Sequence, residues 1–214
     1  VSFAKALDDS LRGATVQLEG RTCYLANTRR SACYKLAFRE NLGTGTFYAS
    51  EAVSLATKIE RRDGRVLFEW REAGKFRQVL VPEKAPIKDK VEEALKKWFS
   101  KEGAIQVPVE ILDDLDEGIL VTRLKIENGR VRVSQKRSDG TVELSNVYDP
   151  PPHNPRPPDT DEVSVFTRDL WALRGYTSVL YLNIIGQTSP LSVVARLDFG
   201  AVLIGLISHL VYEP

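Results

Sequence analysis

The chain has 214 residues, with 30 Lys and Arg against 29 Asp and Glu and a formal net charge of +1. That length fits one large domain or two small ones, and 43% hydrophobic with 28% charged residues excludes a disordered chain. The near-zero charge excludes a nucleic-acid binder that works by total charge alone, while leaving room for a locally basic face.

The spacing predicts a helix over Ser2–Arg12, with Phe3, Ala6, Leu7 and Leu11 on one side and Lys5, Asp8, Asp9 and Arg12 on the other; Gly13 ends it. Extended stretches follow at Ala14–Leu18, Arg21–Ala26, Ala32–Arg39 and Gly45–Ala49. Ser50-Glu51-Ala52-Val53 reads as a capped helix start running to about Lys58. Arg65–Trp70 and Lys75–Val81 alternate as strands, turned at Asp63-Gly64 and Ala73-Gly74.

Pro82–Gly103 differs in composition. Val91, Leu95, Trp98 and Phe99 recur at helical spacing within Ile87–Phe99. Two readings stay open: an interdomain linker carrying an amphipathic helix, and an ordinary core helix. The pattern then restarts with a strand at Ala104–Val107 and a helix from Pro108 through Glu117, closed by Gly118. Strands are predicted at Ile119–Ile126, Arg130–Lys136 and Thr141–Tyr148, joined by Asn128-Gly129 and Asp139-Gly140, both strong hairpin signals. Pro150–Pro158 reads as a flexible or polyproline-type loop. Val163–Phe166 is a strand, Thr167–Arg174 a short helix, and Thr177–Ile185, Ser192–Asp198 and Ala201–Val211 are closing strands. The fold class is therefore α+β: a duplicated topology of antiparallel sheets with few short helices. The domains are expected at 1–82 and 104–214, with 83–103 as the linker.

Cys23 and Cys33 are too few for a disulfide scaffold or a four-cysteine zinc site. They flank a predicted hairpin tip, so a cross-strand bond and two free thiols both stay open. The N-terminal residues lack the apolar core of a signal peptide, and the apolar run 202–211 is shorter than the roughly 20 residues a membrane helix needs. Enzyme signatures are poor. No phosphate-cradling Gly-Lys-Ser/Thr loop appears, no His-Glu-x-x-His, and no Gly-x-Ser-x-Gly. The two histidines, His153 and His209, are far apart in sequence. No cofactor is implied.

The last fifty residues carry a resemblance. Ser164–Leu173 gives a strand and a helix, then come Thr177–Ile185, Ser189-Pro190-Leu191-Ser192 entering a strand, and a final strand. This order resembles the C-terminal end of sliding DNA clamps of the proliferating cell nuclear antigen family. Ala14–Leu18, Thr22–Ala26 and Ala32–Phe38 follow the clamp order after its first helix. There are departures. The strand that normally precedes the first helix is missing, and the short segment between Lys58 and Arg65 implies another missing strand. A helical linker replaces the extended connector, Ser208-His209 replaces the Ala-Pro of the tail, and the proline-rich loop stands where a strand is expected.

The resemblance implies two clamp-type domains in a subunit of a homo- or hetero-oligomeric ring, without catalysis. Such a ring encircles duplex DNA and tethers polymerases, nucleases or ligases through short peptide motifs. Its DNA contacts are sequence-independent and salt-sensitive. Lys5, Arg12, Lys58, Arg61, Arg62, Arg168 and Arg174 would face DNA. Ala26, Asn27, Ala32, Tyr34, Pro190, Leu206, Ile207, Ser208 and His209 would wall the partner-peptide site. Phe76, Val79 and Val81 of one subunit would meet Val142, Leu144 and Val147 of the next through paired edge strands. The expected setting is the cytoplasm or nucleoid of a prokaryote, or the nucleus of a eukaryote. Against this stands the helix at 109–117, with Glu110, Asp113, Asp114, Asp116 and Glu117 and no base. Two rivals follow: a clamp-like protein-interaction scaffold that does not encircle DNA, and a metal-dependent nuclease built around Asp113 and Asp116.

Overall fold

The computed structural model describes residues 14–27, 29–152 and 156–211. The helix expected over Ser2–Arg12, with Lys5 and Arg12, and His153 lie outside these residues. The chain divides into two compact units. One takes residues up to Ala94 together with Asp198–Leu203; the other takes Leu95–Leu197 and residues from Ile204 on.

In the first unit, β1 (Thr15–Glu19), β2 (Thr22–Ala26), β3 (Ala32–Ala37) and β4 (Thr44–Tyr48) form antiparallel neighbours in the order β4-β1-β2-β3. Period-two alternation puts Val16, Leu18, Cys23, Leu25, Tyr34, Leu36 and Phe47 on one buried face. A second sheet holds β5 (Lys58–Arg62), β6 (Arg65–Glu72) and β7 (Lys75–Pro82) in sequence order. Phe47 meets Phe68 edge to face, with centroids 5.0 Å apart. Gly43 and Gly45 let the two sheets approach. A Cβ on Gly43 would stand 1.8 Å from the Ile59 carbonyl oxygen, and one on Gly45 would stand 2.9 Å from both Val66 methyls.

The helix expected from Ser50 to Lys58 is not formed. Ala49–Glu51 makes a single 3₁₀ turn, in which the Glu51 carboxylate accepts the Tyr48 N–H at 3.2 Å. The chain then enters β5, which pairs along its length with β6. The strand thought missing between Lys58 and Arg65 is thus present. Local capping chemistry read as a helix start was outvoted by a hairpin whose turn, Asp63-Gly64, adopts positive φ at both residues.

Helix α1 (Lys88–Trp98) buries Val91 and Leu95. The second unit then repeats one motif twice. Strand β8 (Ile105–Val107), helix α2 (Glu110–Asp113) and the meander β9 (Val121–Glu127), β10 (Arg130–Lys136), β11 (Val142–Tyr148) form the first copy. Strand β12 (Val163–Phe166), helix α3 (Thr167–Trp171) and the meander β13 (Thr177–Asn183), β14 (Leu191–Leu197), β15 (Val202–Ile207) form the second. Each lead strand joins the other copy's meander: the sheet orders are β11-β10-β9-β12 and β15-β14-β13-β8, with β12–β9 and β13–β8 antiparallel. The two short helices pack against each other.

Helix α2 stops at Asp113 rather than running to Glu117. The cause is Gln135, fully buried on β10. Its amide oxygen accepts the Asp116 N–H at 2.9 Å, and its amide nitrogen donates to the Asp116 carbonyl at 3.0 Å, pulling that residue out of the helical path. Helix α3 likewise ends at Trp171 rather than Arg174.

Cys23 and Cys33 are not joined by a disulfide. Cys23 lies opposite Leu36 and Cys33 opposite Ala26, a three-residue offset of about 10 Å along the strands, beyond disulfide reach.

Candidate functional site

Among the described residues six strands end a sheet, β4, β5, β7, β8, β11 and β12, and the longest of them are β7 and β11. β7 pairs only with β6, and β11 only with β10. β5 stops opposite Glu69, so Trp70–Arg77 continues as a two-stranded arm. Along β7 the apolar residues are uncovered: Phe76, in the arm, is 60% exposed, and Val79 and Leu80, before β7 reaches its end, are 37% and 44% exposed. Val81 is half-buried. On β11, Val142 is 53% and Val147 47% exposed, and Leu144 is half-buried. Each unit therefore presents one long edge strand, of eight and seven residues, carrying apolar side chains. Such edges are templates for pairing with another chain.

The basic residues fall into different settings. Lys58, Arg61 and Arg62 sit on strand β5, not on a helix. Lys58 is ion-paired to Glu60 at 2.9 Å. Arg61 donates to Glu83 at 2.5 Å and to Glu19 at 3.1 Å. These carboxylates raise its guanidinium above the ordinary pKa. Arg62 and Arg168 are exposed, the latter on α3. Arg174, also exposed, lies over the Trp171 ring, 3.9 Å from its centroid.

The residues named for a peptide site divide between the units. In the first, Asn27 organises its own hairpin: its amide oxygen accepts the Ser31 and Ala32 N–H groups at 2.9 and 3.1 Å. Ala26 is half-buried at the end of β2, while Ala32 and Tyr34 are buried in β3. In the second, Leu206 and Ile207 are buried, Pro190 and His209 half-buried and Ser208 exposed. The tail is anchored where the Leu210 N–H donates to the Ser164 carbonyl at 2.7 Å.

Two of the acids of 110–117 serve local structure. Asp116 Oδ1 accepts the Gly118 N–H at 2.9 Å, and Asp114 accepts the Tyr148 hydroxyl at 2.7 Å. Burial, and then that carboxylate, push the Tyr148 phenol up to about 12. Among the described residues, no group of three or more His, Cys, Asp or Glu is placed to hold a metal ion. A cavity of about 850 Å³ lies between the turn at Asp116–Leu120 and the β10–β11 hairpin. Arg123, Lys136 and Arg137 in its wall are balanced by Asp116, Asp139 and Glu143, so it holds no net attraction for an anion.

Sequence reasoning missed two buried glutamines. Gln135 also donates toward the Thr122 and Thr167 hydroxyls at 3.3 and 3.4 Å, tying β9, β10 and the start of α3 together. Gln17 on β1 accepts the Ile87 and Lys88 N–H groups at 2.7 and 2.8 Å. Gln135 stands where the alternation of Val131 and Val133 calls for an apolar residue, which was the available signal, whereas Gln17 falls on the polar positions of β1 and gave none.

No protein-family model matches the chain, and no curated protein matches it in sequence. Solved structures do match in fold. A DNA polymerase III beta subunit from Eubacterium rectale superposes with a TM-score of 0.63 at 10% identity, covering 98% of this chain. The chain spans 63% of that structure's length. Proliferating Cellular Nuclear Antigen from Entamoeba histolytica gives 0.58 at 11% identity, covering 97% of this chain and 93% of the other. A PCNA2-PCNA3 complex from Sulfolobus tokodaii gives 0.57 at 11%, covering 96% and 93%. With its antiparallel sheets, few short helices and twice-repeated strand–helix–meander motif, the chain has the fold of the sliding clamps.

Proposed function

We propose that the chain is a non-catalytic sliding-clamp subunit that assembles into a ring around duplex DNA. The observation that carries this reading is the pair of long, apolar edge strands, β7 in one unit and β11 in the other. A chain with two different sticky edges associates head to tail, and such contacts close into a ring when the rotation permits. The length match with the antigen from Entamoeba histolytica, rather than with the longer beta subunit, favours three chains per ring. The PCNA2-PCNA3 structure is a precedent for unlike subunits, so both a homomeric and a mixed ring fit. In this reading 1–82 and 104–214 are the clamp domains and 83–103 the linker.

Phe76, Val79 and Val81 would pack on Val142, Leu144 and Val147 of the neighbour. Arg62, Arg168 and Arg174, with Lys5, Arg12 and Lys58, would meet phosphates in the hole through contacts loose enough for sliding. Arg61, held between two carboxylates, contributes least. Polymerase, nuclease or ligase peptides would use Ala26, Asn27, Ala32 and Tyr34 together with Pro190 and Leu206–His209. Among the described residues no helix is long and apolar enough to cross a membrane. We place the subunit with the DNA, in the nucleoid or nucleus.

The acids exposed around α2 favour the second reading, a clamp-like scaffold off DNA. Light scattering, followed by loading onto nicked circular DNA, separates the two. A mass near three subunits and retention lost on linearisation support the clamp. A monomer that ignores candidate sister subunits refutes it and leaves the scaffold.

A further inference from the structure

The outer face of β1–β3 carries an ordered polar row. Gln17 lies opposite Tyr24, and Tyr24 opposite Lys35, in direct cross-strand register. All three grip the start of α1. Gln17 Oε1 takes the N–H groups of Ile87 and Lys88, donors left over at a helix N-terminus. One turn on, Glu92 Oε1 accepts the Tyr24 hydroxyl at 2.8 Å and the Lys35 ammonium at 2.6 Å. Gln17 and Tyr24 are buried in consequence. The face around the row is small and polar, with Thr15, Thr22, Ala26, Cys33 and Ala37.

Three features make this attachment reversible. Of the eleven helical residues only Val91 and Leu95 are buried, so the apolar hold is slight. The Lys35–Glu92 pair is partly solvated, with side chains 34% and 40% exposed. An isolated helix shorter than about 12–15 residues is marginal in water, so α1 melts once it lifts.

We propose that the Gln17–Tyr24–Lys35 row is a docking site for an amphipathic helix with a carboxylate one turn from its N-terminus, occupied in cis by α1 and open to a helix of the same chemistry from a partner protein. The recognition chemistry is that of the cis occupant: two free N-terminal N–H groups, a carboxylate one turn later, and an apolar residue beside it.

The probe is a fluorescein-labelled peptide of residues 84–99, added to the full chain. The cis helix has an effective concentration on the order of millimolar, so the peptide binds wild type poorly. A chain carrying Val91→Ala and Glu92→Gln binds it at least tenfold more tightly. Adding Lys35→Glu to that chain abolishes binding, and a peptide with Glu92→Lys restores it. No binding to the weakened chain, or binding indifferent to the charge exchange, overturns the proposal. Amide exchange on wild type gives an independent check. Residues 88–98 exchanging well ahead of β1–β3 is the expected result; both exchanging together means that α1 is fixed core and overturns the proposal.

Discussion

Replacing Phe76 with Ser tests the open edge of β7. The side chain is 60% exposed, and an aromatic ring offers about 200 Å² for burial, so about 120 Å² awaits a partner. At ~25 cal/mol/Å² that area is worth about 3 kcal/mol when fully covered, and about half that when a neighbouring strand covers one side. Each contact then weakens roughly 10- to 100-fold, since ~1.4 kcal/mol is a factor of ten. The monomer loses little, because substitutions at exposed positions usually stay within about 0.5 kcal/mol. Light scattering over a dilution series reads the first effect and a thermal melt the second. Wild type should remain associated at concentrations where Phe76→Ser is monomeric, with matching melts. An unchanged mass together with a melt lowered by many degrees would refute the reasoning, because Phe76 would then support its own fold rather than a neighbour.

Gly43→Ala should cost at least ~3 kcal/mol in denaturant unfolding, because its φ of +104° is strained for any side chain and the new Cβ meets the Ile59 carbonyl. Gly64→Ala, at φ +73° with open space around it, should cost only ~1 kcal/mol; equal costs would mean that the sheets are free to move apart. Gln135→Leu should lose about 2–4 kcal/mol, since it strands the Asp116 N–H and carbonyl and leaves the Thr122 and Thr167 hydroxyls only each other, again read by denaturant. Glu92 sits below the usual carboxylate range, held first by the Lys35 hydrogen bond and then by Tyr24. A depressed folded pKa contributes stability above the unfolded value and loses it as pH falls through the folded one. Exchange of α1 amides should therefore accelerate below about pH 4, and in Glu92→Gln this acid-induced increase should vanish. Arg168→Ala and Arg174→Ala should each reduce the slope of log affinity for DNA against log salt by about 0.9, whereas Arg61→Ala should leave the slope alone and lower stability.

The meanders were legible because their turns announce themselves. Asp63-Gly64, Ala73-Gly74 and Asn128-Gly129 all adopt the positive φ pairs that tight hairpins require. The edge strands followed from the clamp order and from apolar residues in a charged setting. Residues 50–58 misled because Glu51 carries real capping chemistry, yet a capped start commits only one turn and strand pairing decided the rest. The end of α2 was hidden for a related reason: the group that breaks it, Gln135, lies on β10 and arrives only through tertiary folding. The Gln17–Tyr24–Lys35 row needed the registers of both the β1–β2 and β2–β3 ladders, and a single sequence does not reveal which residues stand opposite one another.

The exchange of lead strands in the second unit bears on how it can be cut. β8 finds its partner β13 across some seventy residues of chain, Leu182 opposite Ile105, so neither copy of the motif completes a sheet by itself. Assembly of this unit must wait for distant segments to meet, and loop closure of that kind slows folding. The same interlock makes the unit tolerant of a break. A nick in the proline-rich loop between β11 and β12 severs the peptide while leaving every strand beside its neighbour. Two polypeptides ending and beginning there should find each other as complementary fragments, each supplying the strand the other lacks.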